Sequence, residues 1–476
     1  MSEKMMKKSK GLIAALLGTV MIAALTIWGC GTSSYDNPVS DGVNAAVTTK
    51  TATALITAAD LKGWMDAGLV NKAGGYDRVV ILDVTANAAD GTNKFNSVGH
   101  IPGAYLVPEG NAYFQATRAE GPLSATGAMV CTGTVMDTLI QNAGIDAYTT
   151  IVLTTNSGSA LDLTRPYATF RYWGFPKNRI KVLQSSNPGW IAAGYALTSQ
   201  PTVVQKSTYG VSQGKPNVNA DMRASLSEMI ATVKGIDAGN AGKVYILDTV
   251  RPATGVFKTQ DLITPTTTST ATPPVTTSLY TPFDGFVKGS YRFPLASLVT
   301  GPTGAIGTSG TTFKTAEEIK AVISGAVYGD GATSTTTITD ANRDAAKTFV
   351  TMCRAGNNAS QGYFVLDGIA YYNSSVDVKW YDGSLGQWNL MASKDAVNPT
   401  RGGQLAVGSI WDTTSLMDSL TWNVDRSLAI VNYASRVYGV EPSFAEGNQL
   451  EEADKAYRSV VISPSGGVAA GGGGGC

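Results

Sequence analysis

The fold of this chain is decided by residues 347–359, which read KTFVTMCRAGNNA. Residues 347–352 are expected to form a strand. Residues 353–359 form a loop of small and polar residues that leads into a helix. A tight turn between a strand and a helix N-terminus points successive backbone N–H groups inward, and such a concave surface binds anions. The stretch predicts a parallel α/β sheet with a candidate site at Cys353.

The same order of elements occurs twice along the chain. In the first copy, strands are expected at 78–84, 150–153 and 180–183, and helices at 58–65, 135–143 and 167–173. In the second copy, strands are expected at 243–248, 347–352 and 376–381, and helices at 225–233 and 317–323. Alternating strands and helices predict parallel sheets flanked by helices, and an internal duplication of this size predicts two tandem α/β domains.

The composition of the chain excludes several functional classes. Its 476 residues include 36 Lys+Arg and 36 Asp+Glu, so it lacks the basic excess that nucleic-acid binding needs. The single histidine, His100, excludes a metal site with two histidines. The cysteines, at positions 30, 131, 353 and 476, are too far apart for a CxxC zinc or iron–sulfur motif. We therefore expect no cofactor, no metal and no nucleic-acid partner.

The N-terminus has the pattern of an export signal. Lysines at 4, 7, 8 and 10 precede an uncharged stretch, residues 11–28. The segment around Cys30 resembles the bacterial lipobox, in which the cysteine is lipidated. This predicts an exported protein that is lipid-anchored through Cys30, and Gly31 favours the outer membrane or the periplasmic face. The alternative is an uncleaved transmembrane anchor.

Short motifs in both copies resemble the rhodanese superfamily of sulfurtransferases. The matching residues are Asp83, GHIPGA at 99–104, CRAG at 353–356, YDGS at 381–384 and Trp388. In that family GHIPGA is a signature and CRxG is the active-site loop. The resemblance covers residues 55–395 and implies a tandem-domain arrangement with an inactive N-terminal domain and an active C-terminal domain.

The resemblance and the patterns at the two termini together predict a domain organisation. Residues 1–29 are expected to be a lipoprotein signal peptide, 30–50 a tether, 51–200 an inactive rhodanese-like domain, 215–395 an active rhodanese domain, 396–461 a C-terminal extension, and 462–476 a flexible glycine-rich tail. The lipobox and the cysteine-terminated tail also resemble rhodanese-like lipoproteins of selenite/tellurite-reduction or extracellular electron-transfer gene clusters.

A sulfurtransferase needs a nucleophile that is anionic near neutral pH and can hold an additional sulfur atom, and a thiolate meets both needs. The loop is expected to lower the pKa of the Cys353 thiol and to stabilise a persulfide there, in a ping-pong cycle between a sulfur donor and a thiophilic acceptor. Gly356 lets the backbone curl where a Cβ would clash, and Arg354 adds positive charge. The alternative is a buried structural thiol. The other active-site loop residues are Ala355, Asn357, Asn358 and Ala359.

The sulfur donor stays open between thiosulfate, mercaptopyruvate and other compounds. Thiosulfate-using relatives often have a basic residue where this chain has Ala355, and Thr or Arg where it has Asn358. Asp248 and Arg251 are expected to support the site, although a structural salt bridge of Arg251 is an equal alternative.

The first copy cannot perform this chemistry. Thr155 stands at its nucleophile position, and a hydroxyl neither ionises readily nor forms a persulfide. The first domain is therefore expected to dock against the second, or else to bind an anion without turnover. His100 is expected to hydrogen-bond to backbone rather than to act in catalysis. Cys131, in a loop before a helix, is either an inert buried thiol or a resolving partner for another cysteine.

Three further segments have no counterpart in the repeated pattern. Residues 264–281, rich in Thr and Pro, are expected to form a surface loop, and residues 417–438 to contribute a helical pattern to an extension that packs on the body. Cys476 follows a run of glycines and is a possible accessory thiol.

Three functions remain open at this point. The first is an exported sulfurtransferase with Cys353 as nucleophile, acting on a small sulfur or selenium donor. The second is a thiol-based protein that handles selenite, tellurite or related oxyanions through Cys353 and Cys476. The third is a non-catalytic subunit of a membrane redox complex with protein partners.

Overall fold

A computed structural model describes residues 49–73, 77–87, 91–239, 243–249, 266–267, 276–277, 283–301, 310–329, 334–391, 409–422, 442–444 and 446–460. The predicted signal peptide, the tether up to residue 48 and the glycine-rich tail lie outside these ranges, and so do Cys30, Arg251 and Cys476. Within these ranges, no helix is long and apolar enough to span a membrane.

The first half of the chain builds a five-stranded sheet in which every neighbouring pair of strands is parallel. Its elements are β1 (Leu55–Ile56), α1 (Ala58–Asp66), β2 (Val79–Asp83), α2 (Lys94–Ser97), β3 (Ala104–Leu106), β4 (Gln115–Glu120), β5 (Leu123–Val130), α3 (Gly133–Asn142), β6 (Thr150–Thr154), α4 (Leu161–Tyr172), β7 (Ile180–Leu183) and α5 (Ser186–Ala192). The strand order is β1-β7-β6-β2-β3, and β4 and β5 form a separate antiparallel hairpin.

The second half builds a four-stranded parallel sheet in the order β12-β8-β15-β16. Its elements, with those that follow it, are α6 (Leu226–Asp237), β8 (Val244–Asp248), β9 (Thr266–Thr267), β10 (Thr276–Thr277), β11 (Phe283–Val287), β12 (Ser290–Arg292), β13 (Val299–Thr300), β14 (Thr312–Phe313), α7 (Ala316–Ser324), α8 (Asp340–Asp344), β15 (Thr348–Met352), α9 (Asn357–Phe364), a π-helix (Val365–Ala370), β16 (Asp377–Trp380), α10 (Ser384–Leu390), β17 (Met417–Trp422) and α11 (Gln449–Ala456). The prediction of an α/β protein with parallel sheets and flanking helices is confirmed.

The two sheets share one strand order, since β12-β8-β15-β16 runs as β3-β2-β6-β7 does. Thr154 lies opposite Asp83 at the end of β6, as Met352 lies opposite Asp248 at the end of β15. The next residues, Thr155 and Cys353, therefore occupy equivalent positions at the carboxyl ends of equivalent strands.

Local sequence explains why these elements form. Strands β2 and β6 are buried along their whole length, as expected of parallel strands covered on both faces. Helices α1, α6 and α7 begin with capping boxes, in which Thr57, Ser225 and Thr315 pair with an acidic residue three positions later. These caps satisfy N–H groups that a helix start leaves free.

The two halves pack through the helices that follow their equivalent loops. Helices α4 and α9 are in contact, and the hydroxyl groups of Thr164 and Ser360 lie 3.1 Å apart in the buried interface. Tyr167 donates to Asp367 at 2.8 Å and packs edge-on against Phe364. One cluster of buried apolar side chains includes residues from both halves. The loop at Cys353 therefore lies beside the interface between the halves.

One expectation about the irregular segments was wrong where the structure describes it. Residues 417–422, within the predicted helical stretch 417–438, form β17, which pairs antiparallel with β11; apolar spacing in a short window does not distinguish a helix from a strand that finds a partner. Of the predicted surface loop 264–281, the structure describes only β9 and β10, which form a short antiparallel ladder, and the rest of the prediction lies outside the described residues. The extension packs on the body as expected where it is described, since Asp454 in α11 pairs with Arg118 at 2.7 Å.

Candidate functional site

Cys353 is the first residue after β15 and precedes the N-terminus of α9 by a short loop. Its side chain is buried, with 2% exposed. The backbone N–H groups of Ala355 and Ala359 point at its sulfur, and the Ser384 hydroxyl lies 3.8 Å from Sγ. Several donors therefore converge on one sulfur atom, an arrangement that stabilises negative charge there.

Burial raises the pKa of the Cys353 thiol. The Ala359 and Ala355 N–H groups and Ser384 lower this pKa, the Asp248 carboxylate raises it further, and the effect of burial is the largest. The expectation that the loop gives Cys353 a lowered pKa is therefore wrong for this closed arrangement. The sequence pattern predicted the backbone N–H donors of the loop, but it did not predict that packing would remove water from around the sulfur.

Gly356 has a backbone conformation that fits no other residue well. Its φ is +78°, and a Cβ there would lie 2.2 Å from the backbone oxygen of Asp382. Its own carbonyl accepts a hydrogen bond from the Trp380 indole at 2.9 Å. The loop thus turns toward α9 while touching the segment after β16.

Ser384, which sequence analysis did not assign to the site, fixes the start of the loop. Its hydroxyl oxygen accepts the Cys353 N–H at 3.1 Å, and its single proton can be donated either to the Tyr381 carbonyl, at 2.6 Å, or to the Cys353 sulfur, at 3.8 Å. The next N–H groups of α10 bind the carbonyl groups of Cys353, at 3.0 Å, and Arg354, at 2.7 Å. The first turn of α10 therefore holds the backbone on which the thiol is mounted.

The other predicted site residues are distributed around this loop. Asp248 is buried at the end of β8, Arg354 is exposed, and Asn357 faces the guanidinium of Arg165 at 3.5 Å. Arg165 belongs to the first half and was not predicted from the sequence, which contains no local signal for a contact between such distant segments. No cluster of His, Cys, Asp and Glu in the described ranges could hold a metal ion.

The equivalent loop of the first half is closed by its own hydrogen bonds. Thr155 accepts the Ser157 N–H at 3.0 Å, and Asn156 donates from its backbone to Thr85 at 2.7 Å and from its side chain to the Gly99 carbonyl at 2.9 Å. Burial raises the pKa of the nearby Asp83 to about 6. The polar groups at Thr155 and Asn156 are thus engaged within the loop and its neighbours.

His100 and Cys131 both occupy buried positions. The ring nitrogens of His100 lie 3.0 and 3.1 Å from the carbonyl oxygens of Phe95 and Gln200, and the ring stacks on Phe95. Burial raises the pKa of the Cys131 thiol to about 12. These contacts suit a structural histidine and an unreactive thiol.

Replacing Ser384 by alanine is expected to slow alkylation of Cys353 at pH 7.5 by roughly threefold, because the thiolate loses one of its donors. The buried Cys353 N–H would also lose its acceptor, which should cost about 1–2 kcal/mol of unfolding free energy. Peptide mass spectrometry after timed iodoacetamide treatment measures the rate. Ser186 is the matched control: it begins α5 with a similar positive φ, and its hydroxyl has no hydrogen-bond partner within the described ranges. An equal effect of Ser186→Ala would contradict the assignment.

Comparison with known proteins gives a limited result. No family model matches the chain, and no curated protein matches it. Similar solved structures include a variant of EanB with a cysteine persulfide and ergothioneine, at 16% identity and a TM-score of 0.46, covering 72% of this chain and 69% of that chain. The anaerobic ergothioneine biosynthesis enzyme from Chlorobium limicola in complex with trimethyl histidine has 16% identity and a TM-score of 0.44, covering 72% and 69%. YnjE has 14% identity and a TM-score of 0.47, covering 76% and 70%.

These findings correct the family expected from the sequence. Membership of the tandem-domain rhodanese superfamily, and of the lipoproteins of selenite/tellurite-reduction or electron-transfer clusters, is contradicted, because neither a family model nor a curated sequence matches. The structures found, EanB and YnjE, are similar only at TM-scores below 0.5. The motifs that suggested the family are a few residues long. They specify a strand, a loop and a helix N-terminus, which do not by themselves define a family.

Proposed function

We propose that the chain is a sulfur-transferring enzyme that carries sulfane sulfur as a persulfide on Cys353. The observation that supports this most directly is the convergence of the Ala355 and Ala359 N–H groups and the Ser384 hydroxyl on the Cys353 sulfur. A structural thiol needs no such donors. A sulfur that becomes anionic during a reaction is stabilised by them.

The reaction has two balanced steps. The Cys353 thiolate attacks the sulfane sulfur of a donor, a new S–S bond forms, and the donor's own bond to that sulfur breaks, with the electron pair leaving on the donor remnant. A thiophilic acceptor then attacks the outer sulfur of the persulfide, and the Cys353 thiolate leaves. The hydrogen-bond donors of the loop contact Sγ, which is anionic before the first step and again after the second.

The expected result is that a sulfane-sulfur donor adds the mass of one sulfur atom to Cys353. Purified full-length chain would be incubated with thiosulfate, with mercaptopyruvate or with inorganic polysulfide, and intact mass spectrometry with peptide mapping would locate the sulfur. Because burial raises the thiol pKa, the loading rate should increase as the pH rises above neutrality.

Two variants serve as controls for the loading measurement. Cys353→Ser should abolish loading, whereas Cys131→Ser should leave it within about twofold, because the Cys131 thiol is buried and its raised pKa keeps it protonated. If no donor loads Cys353 although its thiol reacts with iodoacetamide, the transfer function is wrong, and a non-catalytic role in a protein complex becomes the better account.

The cellular setting is proposed from the sequence. The lysine-rich start, the uncharged stretch and Cys30 support export with a lipid anchor that attaches the protein to a membrane. The domain boundaries given above, a reaction of the tail Cys476 with the persulfide, and redox-complex protein partners likewise remain proposals.

A further inference from the structure

Arg165 lies in α4 of the first half and brings a positive charge into the interior of the protein. The side chain is fully buried, with 0% exposed. One terminal nitrogen donates to the carbonyl groups of Ala128, at 2.8 Å, and Phe114, at 3.4 Å. The guanidinium stacks over the Trp380 ring at 4.5 Å. Among the residues that the structure describes, no carboxylate lies within ion-pair distance of it.

This situation differs from that of two other arginines, Arg171 and Arg223. Arg171, on the same helix, pairs with Asp367 at 3.0 Å, and Arg223 pairs with Glu120 at 2.6 Å. A buried charge with no counter-ion in direct contact is costly. Burial lowers the pKa of Arg165 to about 10, which still leaves the group protonated at neutral pH. The carbonyl and aromatic contacts offset only part of the cost of burying a full charge.

The contacts of Arg165 lead directly to the Cys353 loop. Trp380, on which the guanidinium stacks, donates to the Gly356 carbonyl at 2.9 Å, and the other terminal nitrogen faces Asn357 at 3.5 Å. The anionic form of Cys353 favours the charged form of Arg165. Because a Coulomb interaction acts equally on both partners, the guanidinium favours the thiolate in return.

We propose that Arg165 supplies the positive charge that stabilises anionic sulfur on Cys353, so that the first half of the chain contributes a positioning residue to the site of the second. The inference rests on the proposed function in that the anion it stabilises is the reacting thiolate or persulfide. It also gives the first half a role that its own closed loop at Thr155 does not have.

Other charged and titratable groups face the same region. Asp248, at the end of β8, opposes ionisation of Cys353. Asp382, Cys131 and Arg223 act on Arg165, the first two favouring its charge and Arg223 opposing it. Removing Arg165 therefore leaves Asp248 without its opposing charge near the sulfur, and the thiolate becomes harder to form.

The test is the pH dependence of Cys353 alkylation in Arg165→Met. We expect the midpoint of the rate profile to rise by about one pH unit and the rate at pH 7.5 to fall about tenfold, since one unit of thiol pKa is a tenfold change in thiolate. Arg165→Lys should retain most of the unsubstituted rate. Arg171→Met is the matched control on the same helix: it should destabilise the protein by leaving Asp367 with only the longer ion pair, to Lys177 at 3.7 Å, and should leave the midpoint unchanged.

A folded Arg165→Met protein with an unshifted midpoint would overturn the proposal. If that variant does not fold, Arg165→Lys and Arg165→Gln, which both keep a donor for the Ala128 carbonyl, provide the same comparison, and equal midpoints in the two would again overturn it. Alkylation needs no sulfur donor, so this result is independent of the loading experiment. If no donor loads the unsubstituted protein but Arg165→Met still shifts the alkylation midpoint, the transfer function is wrong and the role of Arg165 stands.

Discussion

Replacing Gly356 by alanine is expected to abolish sulfur loading of Cys353 and to lower the free energy of unfolding by about 3 kcal/mol or more. The residue has φ +78°, and the new Cβ would lie 2.2 Å from the Asp382 backbone oxygen. That oxygen cannot easily withdraw, because the Asp382 carboxylate is held by Arg223 at 2.8 Å and by the Val130 N–H at 2.9 Å. The Cys353 loop must move instead, and the donors around the sulfur move with it.

A substitution at a second glycine tests the effect of the backbone conformation without the effect of the clash. Gly194 has φ +86°, and a Cβ there would meet no heavy atom within 4 Å. Gly194→Ala should therefore show only the conformational cost, about 1 kcal/mol, with normal loading. Urea denaturation and mass spectrometry of both variants measure the two effects. If Gly356→Ala is no less stable than Gly194→Ala and still accepts sulfur, the loop does not depend on this contact.

The parallel sheets could be predicted from the sequence because their signals are local. Buried parallel strands are rich in apolar and β-branched residues, and β2 and β15 were placed to within one residue. The β4–β5 hairpin was missed because its strands mix small, polar and charged residues without clear alternation. Its pairing depends on contacts with the rest of the protein, such as that between Val130 and Asp382.

The candidate site could be predicted only where it consists of consecutive residues. Cys353 and Gly356 are close in the chain, so their loop is visible as a pattern. Ser384 and Arg165 reach the loop from segments that are distant in the sequence, and nothing local marks them as neighbours of a thiol. The raised pKa of Cys353 was missed for the same reason, since burial results from packing between the halves.

Replacing Arg223 by methionine should lower the free energy of unfolding by about 3–5 kcal/mol at pH 7.5 or prevent folding. Arg223 is fully buried and pairs with acidic residues from three separate segments. They are Glu120 at the end of β4, at 2.6 Å, Asp382 after β16, at 2.8 Å, and Glu451 in α11, at 3.1 Å. Without the guanidinium these buried carboxylates face one another unpaired, and the hairpin, the segment beside the Cys353 loop and the C-terminal extension lose their common partner.

The pH dependence of this loss identifies its cause. Burial raises the pKa of Glu451 to about 7, against the attraction of Arg223, which lowers it. Because this pKa is above its unfolded value, the stability that Glu451 contributes is fully present below about pH 4.5 and is lost as the pH rises through 7. In Arg223→Met the pKa of Glu451 rises further, so the deficit relative to the unsubstituted protein should shrink by up to about 0.8 kcal/mol between pH 7.5 and pH 5.5.

Arg343 is the matched control for the pH experiment. It pairs with Asp340 at 2.7 Å, but the Asp340 side chain is 77% exposed, so water replaces the lost partner. Arg343→Met should cost less than about 1 kcal/mol, with no recovery at lower pH. Urea denaturation of the three proteins at pH 5.5, 6.5 and 7.5 makes the comparison. An Arg223→Met deficit that stays constant over this range would mean that lost packing, and not unpaired buried charge, is what Arg223 prevents.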